Sequence, residues 1–162
     1  MSAATPADVP ALAALMEEMG RFYGDTVFEP LARRIAQIEQ ALFGPRAVAD
    51  VLLVRNTDEP VGFASYTFLW PAVGVTSSLY LKELYIARSH RGHGLGTLLM
   101  SHVAAVAVRH DCTRMEWATG LENRDAQEFY RSLSATVHAG KVSYRLGPAE
   151  ISTLSGLARR AS

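Results

Sequence analysis

Arg88-Ser89-His90-Arg91-Gly92-His93-Gly94-Leu95-Gly96-Thr97 separates a run of strand character from a run of helix character, and its reading decides the fold. Three glycines at alternate positions let the backbone turn tightly and present successive N–H groups, with no Cβ in the way of an approaching ligand. The helix that follows points its positive dipole end and its unpaired first-turn donors at the same spot. Such a place suits a phosphate or diphosphate, and Arg88 and Arg91 can add charge-assisted donors at its rim. Two other phosphate loops fit worse. A P-loop needs Gly-Lys-Ser/Thr, whereas Gly96 precedes Thr97. A dinucleotide fingerprint needs a glycine three residues after a Gly-x-Gly pair. That place holds Thr97 or Leu99, and only Asp111 falls loosely near the position of the ribose-binding acid.

Working outward, residues 77–86 are rich in Leu and Tyr and read as a long strand, and residues 94–109 carry Leu95, Leu98, Leu99, Val103 and Val106 at helical spacing. Residues 47–55 and 61–70 read as strands of an antiparallel hairpin around Asn56-Thr57-Asp58-Glu59, followed by a loop at 71–76. Beyond the central helix come a short strand at 113–118 and a short helix at 125–133 with Ala126, Phe129 and Tyr130 inward. A closing hairpin of 135–138 and 142–146 over Ala139-Gly140-Lys141 is expected next. The tail, 148–162, is one weak helix or frays. At the other end, Thr5-Pro6-Ala7-Asp8 is a helix start, with Thr5 as cap, Pro6 in the first turn and Asp8 suited to the dipole. Leu12, Leu15, Met16 and Met19 continue that helix to about residue 23, where Gly24-Asp25 breaks it. A second helix, 30–43, carries Leu31, Ile35, Ile38 and Leu42 on one face and ends at Gly44-Pro45. Only residues 1–4 remain for a first strand. The class is α/β, with a mixed sheet covered by helices.

The chain has 162 residues, room for one domain of ordinary composition: 49% hydrophobic and 20% charged. Sixteen basic residues balance sixteen acidic ones. That gives no support to a nucleic-acid partner or a polybasic membrane anchor. Cys112 is the single cysteine, so neither an intrachain disulfide nor a multi-cysteine zinc site can form, and a reducing cytoplasm fits. No apolar run spans a bilayer and no signal peptide is read.

Arg91-Gly92-His93-Gly94-Leu95-Gly96 resembles the Arg/Gln-x-x-Gly-x-Gly/Ala acetyl-CoA signature of the GNAT superfamily of N-acetyltransferases. Leu81-Lys82-Glu83-Leu84-Tyr85-Ile86 resembles the strand before that loop, and Asn123-Arg124-Asp125-Ala126-Gln127-Glu128-Phe129-Tyr130 resembles the family's downstream Asn-x-x-Ala-x-x-x-Tyr helix. The resemblance covers roughly residues 8–146 and is greatest to the diamine acetyltransferase branch. It implies a three-layer fold whose central, mostly antiparallel sheet has about six to seven strands flanked by about four helices. It also implies acetyl-CoA as cofactor and a homodimer.

Residue by residue, the resemblance implies that the backbone of Leu84, Tyr85 and Ile86 pairs with the pantetheine arm like an added strand. Arg91, Gly92, His93, Gly94, Leu95, Gly96 and Thr97 would hold the pyrophosphate, and Asn123 would bond the cofactor's amide region. Tyr130 would protonate the departing thiolate, which a phenol of pKa about 10 can do at neutral pH. Its bland alternative is a core aromatic with a tied hydroxyl. Glu83 is the candidate base for the acceptor ammonium, directly or through water; the alternative is an edge-strand carboxylate paired with an arginine. The branch usually has two acids in this strand, and Lys82 stands where the first would be. Strand alternation would place Lys82 on the face opposite Glu83. If it faces the acceptor instead, it would repel a polycation and favour an acidic or zwitterionic amine. Leu133-Ser134-Ala135 replaces the branch's Gly-Ala turn, so Ser134 must turn the chain without a glycine's freedom.

Tyr23, Asp25 and Glu29 fall between the first two helices, where this fold covers its acceptor site. The two acids could attract an ammonium, and Phe22 or Tyr23 could stack on its stem. A polar loop with core aromatics is the alternative. His90 and His93 lack a third ligand, so no metal is expected. Cys112 reads as an inert thiol, since a bound thioester needs no acyl-cysteine. The expectation is therefore a cytoplasmic acetyl-CoA-dependent N-acetyltransferase acting on a small primary amine: a diamine, an amino acid or an aminated antibiotic. A peptide or protein amine as acceptor, and a CoA-binding sensor without turnover, remain the alternatives.

Overall fold

The computed structural model describes residues 1–140 and 142–158. They divide into two compact units, Met1–Asn123 and a second that begins at Arg124.

The first unit starts with β1 (Ser2–Ala3), as short as its few residues require. A single 3-10 turn, Pro6–Asp8, leads directly into α1 (Val9–Phe22). The Thr5 N–H and Oγ1 both donate to Asp8 Oδ2, each at 2.9 Å, which closes the helix start. Arg55 Nη2 donates to Asp8 Oδ1 at 2.8 Å and holds that carboxyl below the ordinary carboxylate range. After α2 (Leu31–Phe43), β2 (Asp50–Asn56) and β3 (Glu59–Leu69) form the expected hairpin. Its ladder closes on Asn56 opposite Glu59, so the tip is only Thr57-Asp58, with Thr57 at φ 54. The chain continues through β4 (Ser77–Ile86), the helix α3 (Leu95–Arg109) and β5 (Cys112–Glu116).

The sheet order is β1-β2-β3-β4-β5, antiparallel throughout except for the last pair, which is parallel. A parallel pair needs a crossover, and α3 supplies it. β3 is buried without a break from 61 to 66, so both of its faces are covered, and the unit has three layers. On one side, Val9, Leu12, Ala13 and Leu15 of α1 and Ile38 of α2 pack with Val51, Leu53, Phe63 and Tyr85. α3 buries Leu99, Met100, Val103 and Val106 and packs on β2 through β5.

The second unit contains α4 (Arg124–Ser132) and α5 (Pro148–Ala158). α4 ends in a Schellman turn: Ala135 N–H reaches Tyr130 O at 3.2 Å and Ser134 N–H reaches Arg131 O at 2.9 Å. Ser134 holds the left-handed position at φ 62 that a glycine would normally take. Among the described residues, five strands and five helices thus stand against the expected six to seven strands and four helices. The closing hairpin is the correction: residues 135–140 and 142–147 form no strand. Val137, Val142 and Tyr144 are 87%, 77% and 91% exposed. Two short strands by themselves are marginal in water, and alternation alone supplies no sheet to join. Lys141, at the expected hairpin tip, and residues 159–162 of the expected tail lie outside the described residues. Among the described residues no helix is long and apolar enough to cross a membrane.

Candidate active site

β5 lies along only the first part of β4 and ends there. Ser77 pairs with Cys112, Leu79 with Met115 and Tyr80 with Glu116, and the ladder stops there. β4 continues for six more residues, to Ile86, paired on its β3 side alone. Among the described residues, the outer backbone edge of residues 81–86 therefore has no neighbouring strand, directly before the glycine loop. A strand edge left open by a shorter neighbour can accept an extended ligand that hydrogen-bonds as a strand does.

The loop begins with Ala87, whose N–H still bonds Val61 O at 2.9 Å, and makes one 3-10 turn at Arg88–His90. Gly92 and Gly94 then sit at φ 79 and 75, which side-chain-bearing residues avoid, and nothing lies within 4 Å of where a Cβ would stand at either. Gly94 is the N-cap of α3 and brings no side-chain oxygen to it, which leaves first-turn N–H groups of the helix for an anion. Of the two rim arginines, Arg88 is exposed. The Arg91 guanidinium turns back instead: Nε donates to Ile86 O at 3.0 Å, and Cζ lies 4.4 Å from the Phe22 ring centre and 5.2 Å from that of Tyr85. His93 Nδ1 is 3.4 Å from His90 O, and His90 Nδ1 is 2.9 Å from Ser89 Oγ.

Glu83 lies in the stretch of β4 beyond the end of β5. Ser65 opposes Glu83 and Tyr66 opposes Leu81, so Lys82 is the extra residue of a β-bulge. The bulge breaks the alternation expected of Lys82 and Glu83. Their charges meet, with Nζ 3.4 Å from Oε1, Lys82 70% and Glu83 32% exposed. The partner of the Glu83 carboxylate is thus a lysine, where the sequence offered an arginine as the alternative.

The connection between α1 and α2 is held down from several sides. Arg34 donates through Nε to Glu29 O and through Nη1 to Ala13 O, both at 3.0 Å, and pairs with Glu17. The hydrogen bond from Arg21, together with Arg34, holds the Glu17 carboxyl below its usual range. Phe28 lies under both guanidinium groups, at 5.0 and 6.0 Å. Gly20 makes room for it, because a Cβ there would stand 2.8 Å from Phe28 Cε1 and 2.9 Å from Asp25 Oδ2. Of the expected acceptor residues, Tyr23 is exposed and stacks edge-on against Phe22 at 5.2 Å. The Asp25 side chain folds back on α1, and Glu29 pairs with Arg33 at 3.3 Å. A small cavity lined by Ala3, Leu42, Phe43, Val51 and Tyr66 involves none of these residues.

Asn123 occupies the place before α4 where a side-chain oxygen caps a helix. Within the second unit, Tyr130 is half-buried in the last turns of α4, its ring 5.2 Å from that of Phe129. Burial pushes the Cys112 thiol up, as does the charge of Asp111, which leaves it a poor nucleophile at neutral pH.

Two features went unseen in the sequence. Glu18 of α1 accepts at one oxygen, Oε1, from Tyr85 Oη at 3.0 Å and from the Arg88 N–H at 2.9 Å. Its position one turn before Phe22 was the only available signal. The second is the bulge at Lys82, which no residue type announces. Acetyl-CoA combines a long amide-bearing arm with a diphosphate. The open β4 edge and the adjoining uncapped, Cβ-free helix start fit those two parts in that order.

Residues 12–134 match the model of the acetyltransferase (GNAT) family. The chain is 27% identical over 144 residues to the thialysine N-epsilon-acetyltransferase of Mus musculus, a span of 80% of this chain and 84% of that protein. It is 22% identical over 135 residues to spermidine/spermine N(1)-acetyltransferase-like protein 1 of Homo sapiens, covering 79% of this chain and 19% of that one. A solved integron cassette protein from the mobile metagenome of V. cholerae superposes with a TM-score of 0.88 and 27% identity over 95% of each chain.

Proposed function

The chain belongs to the GNAT acetyltransferase family and is an acetyl-CoA-dependent N-acetyltransferase, and from that premise we propose that its acceptor is a primary amine of a small molecule. The observation that carries this reading is the edge of β4 left open after Tyr80, where β5 ends, beside the glycine loop. Acetyl-CoA, when bound, supplies an acetyl group already activated as a thioester. Leu84, Tyr85 and Ile86 take the pantetheine arm along the open edge, and N–H groups of this edge polarise the carbonyl under attack. Arg91, Gly92, His93, Gly94, Leu95, Gly96 and Thr97 hold the diphosphate, chiefly by main-chain donors. Asn123 bonds the arm's amide region. Glu83 takes a proton from the acceptor ammonium, directly or through water, and Tyr130 Oη gives one to the leaving sulfur. The match to the family runs from residue 12 to residue 134 and so crosses the boundary at Arg124 into the start of the second unit, which supports a single catalytic domain.

Among small amines, the reading favours an amino acid with a side-chain amine over a polyamine. Lys82 stands beside Glu83, so a polycation would meet a fixed ammonium next to the proposed base, whereas a zwitterion brings a carboxylate to match it. The name of the mouse relative points to the same class of acceptor. Tyr23, Asp25 and Glu29 would receive the stem of that amine.

Thiol release from acetyl-CoA across a panel of amino acids, diamines, aminoglycosides and peptides tests the reading. Turnover with amino acids, shifted toward spermidine by Lys82→Ala, supports it. Turnover with peptides alone makes the chain a protein acetyltransferase, and CoA binding without release for any amine makes it a sensor. The implied homodimer belongs to the same proposal. Exposed Val142, Tyr144 and Leu146, at alternate positions, support it, and sedimentation equilibrium tests it.

A further inference from the structure

The loop that would hold the diphosphate is attached to α1 at both ends of its first turn. At the entry, the sheet's last bond to it is Ala87 N–H to Val61 O. The next amide, that of Arg88, has no strand to pair with and donates instead to the carboxylate of Glu18. The same oxygen accepts the phenol of Tyr85, and burial and the nearby carboxylate keep that phenol protonated. At the exit, Arg91 lies over the Tyr85 ring that Glu18 orients and over Phe22, the last residue of α1. Gly92 follows immediately. Phe22 carries Tyr23 edge-on, so the first acceptor-side residue belongs to the same stack.

We propose that Glu18 is a positioning residue: by fixing the Arg88 amide and the Tyr85 ring, it sets where the phosphate-binding amides of residues 91–97 stand relative to the acceptor-side end of α1. This rests on the reading of residues 91–97 as the diphosphate seat. Two hydrogen bonds converge on one half-buried carboxylate oxygen, so truncation releases both at once: the loop loses its bond to α1 at the entry, and the Tyr85 ring that lies under Arg91 at the exit loses the bond that orients it.

Titration calorimetry of the full chain with CoA, and with pantetheine as the probe lacking the diphosphate, reads this out. Glu18→Ala should weaken CoA binding about 10- to 100-fold while leaving pantetheine within about twofold. Glu18→Gln keeps the accepting oxygen and should recover most of the loss. Tyr85→Phe removes one of the two donors, should raise the CoA dissociation constant about threefold to tenfold, and should add little on top of Glu18→Ala. Equal CoA binding by wild type and Glu18→Ala overturns the proposal alone. A wild type that binds no CoA overturns the reading of the loop itself, and the proposal with it. If Glu18→Ala does not fold, Tyr85→Phe and Glu18→Gln decide: an unchanged CoA constant in Tyr85→Phe, or in Glu18→Gln a loss shared equally by pantetheine, refutes the positioning role.

Discussion

Gly94→Ala separates backbone strain from ligand binding at the loop. Gly94 sits at φ 75, and its missing Cβ points into open space with nothing within 4 Å. The methyl group therefore meets no protein atom, and the substitution acts through the backbone alone. A left-handed conformation costs an L-residue about 1–2 kcal/mol. In a chain of this size, each 1 kcal/mol lowers the melting temperature by about 2–4 °C. The loop can escape the strain by rotating Gly94, but that turns the amides at the start of α3 away from a bound diphosphate. One lost hydrogen bond to a charged group is worth about 1.5–3 kcal/mol, or about 10- to 150-fold in affinity. Calorimetric titration with CoA, alongside differential scanning calorimetry of the free protein, measures both quantities. Gly156→Ala is the control: Gly156 is in α5 with nothing within 4 Å of its Cβ position, so that substitution should leave CoA binding unchanged. A Gly94→Ala protein that melts lower yet binds CoA as tightly as wild type would refute the diphosphate reading of the loop.

Tyr130→Phe should lower kcat by about 100- to 1,000-fold with CoA affinity within about twofold, seen by steady-state thiol release; an unchanged kcat removes Tyr130 from proton transfer. Asp8→Ala should destabilise the first unit by about 1–3 kcal/mol at neutral pH through loss of the Arg55 and Thr5 bonds. The Asp8 carboxyl is depressed in the fold, chiefly by Arg55, so its contribution is present above the unfolded value of about 3.9 and disappears as pH falls through the lower folded one. Urea midpoints measured down the pH scale should therefore converge for the two proteins in acid. Ser134→Gly should raise stability by about 0.5–1 kcal/mol, because glycine takes φ 62 without strain and the Schellman bonds remain; a lower denaturation midpoint would contradict that account.

The loop was legible in the sequence because its chemistry is local. Gly92 and Gly94 take positive φ for reasons carried by the residues themselves, and the strand and helix on either side announce themselves by their own periodicity. The Thr5–Asp8 helix start, the break at Gly24 and the strained turn at Ser134 follow from equally short-range rules. The hairpin expected at 135–146 shows where such rules stop. Alternating apolar residues state what a strand would bury, and the strand forms only where a ladder partner exists.

What decides the candidate site is long-range. Which residue of β4 becomes the bulge depends on the register against β3, and so does the meeting of Lys82 with Glu83. The opening along residues 81–86 exists because β5 ends its pairing at Tyr80, a fact about two strands separated by an entire helix. Arg91 turning to Phe22, and Glu18 capturing the Arg88 amide 70 residues away, depend on α1 lying across the end of β4. The sequence by itself thus determined the backbone chemistry that an anion would meet, because φ preferences and helix ends are properties of a few adjacent residues. Only the tertiary structure decided which edge stays open and which side chains hold the loop in place, because those are set by pairing and packing between segments far apart in the chain.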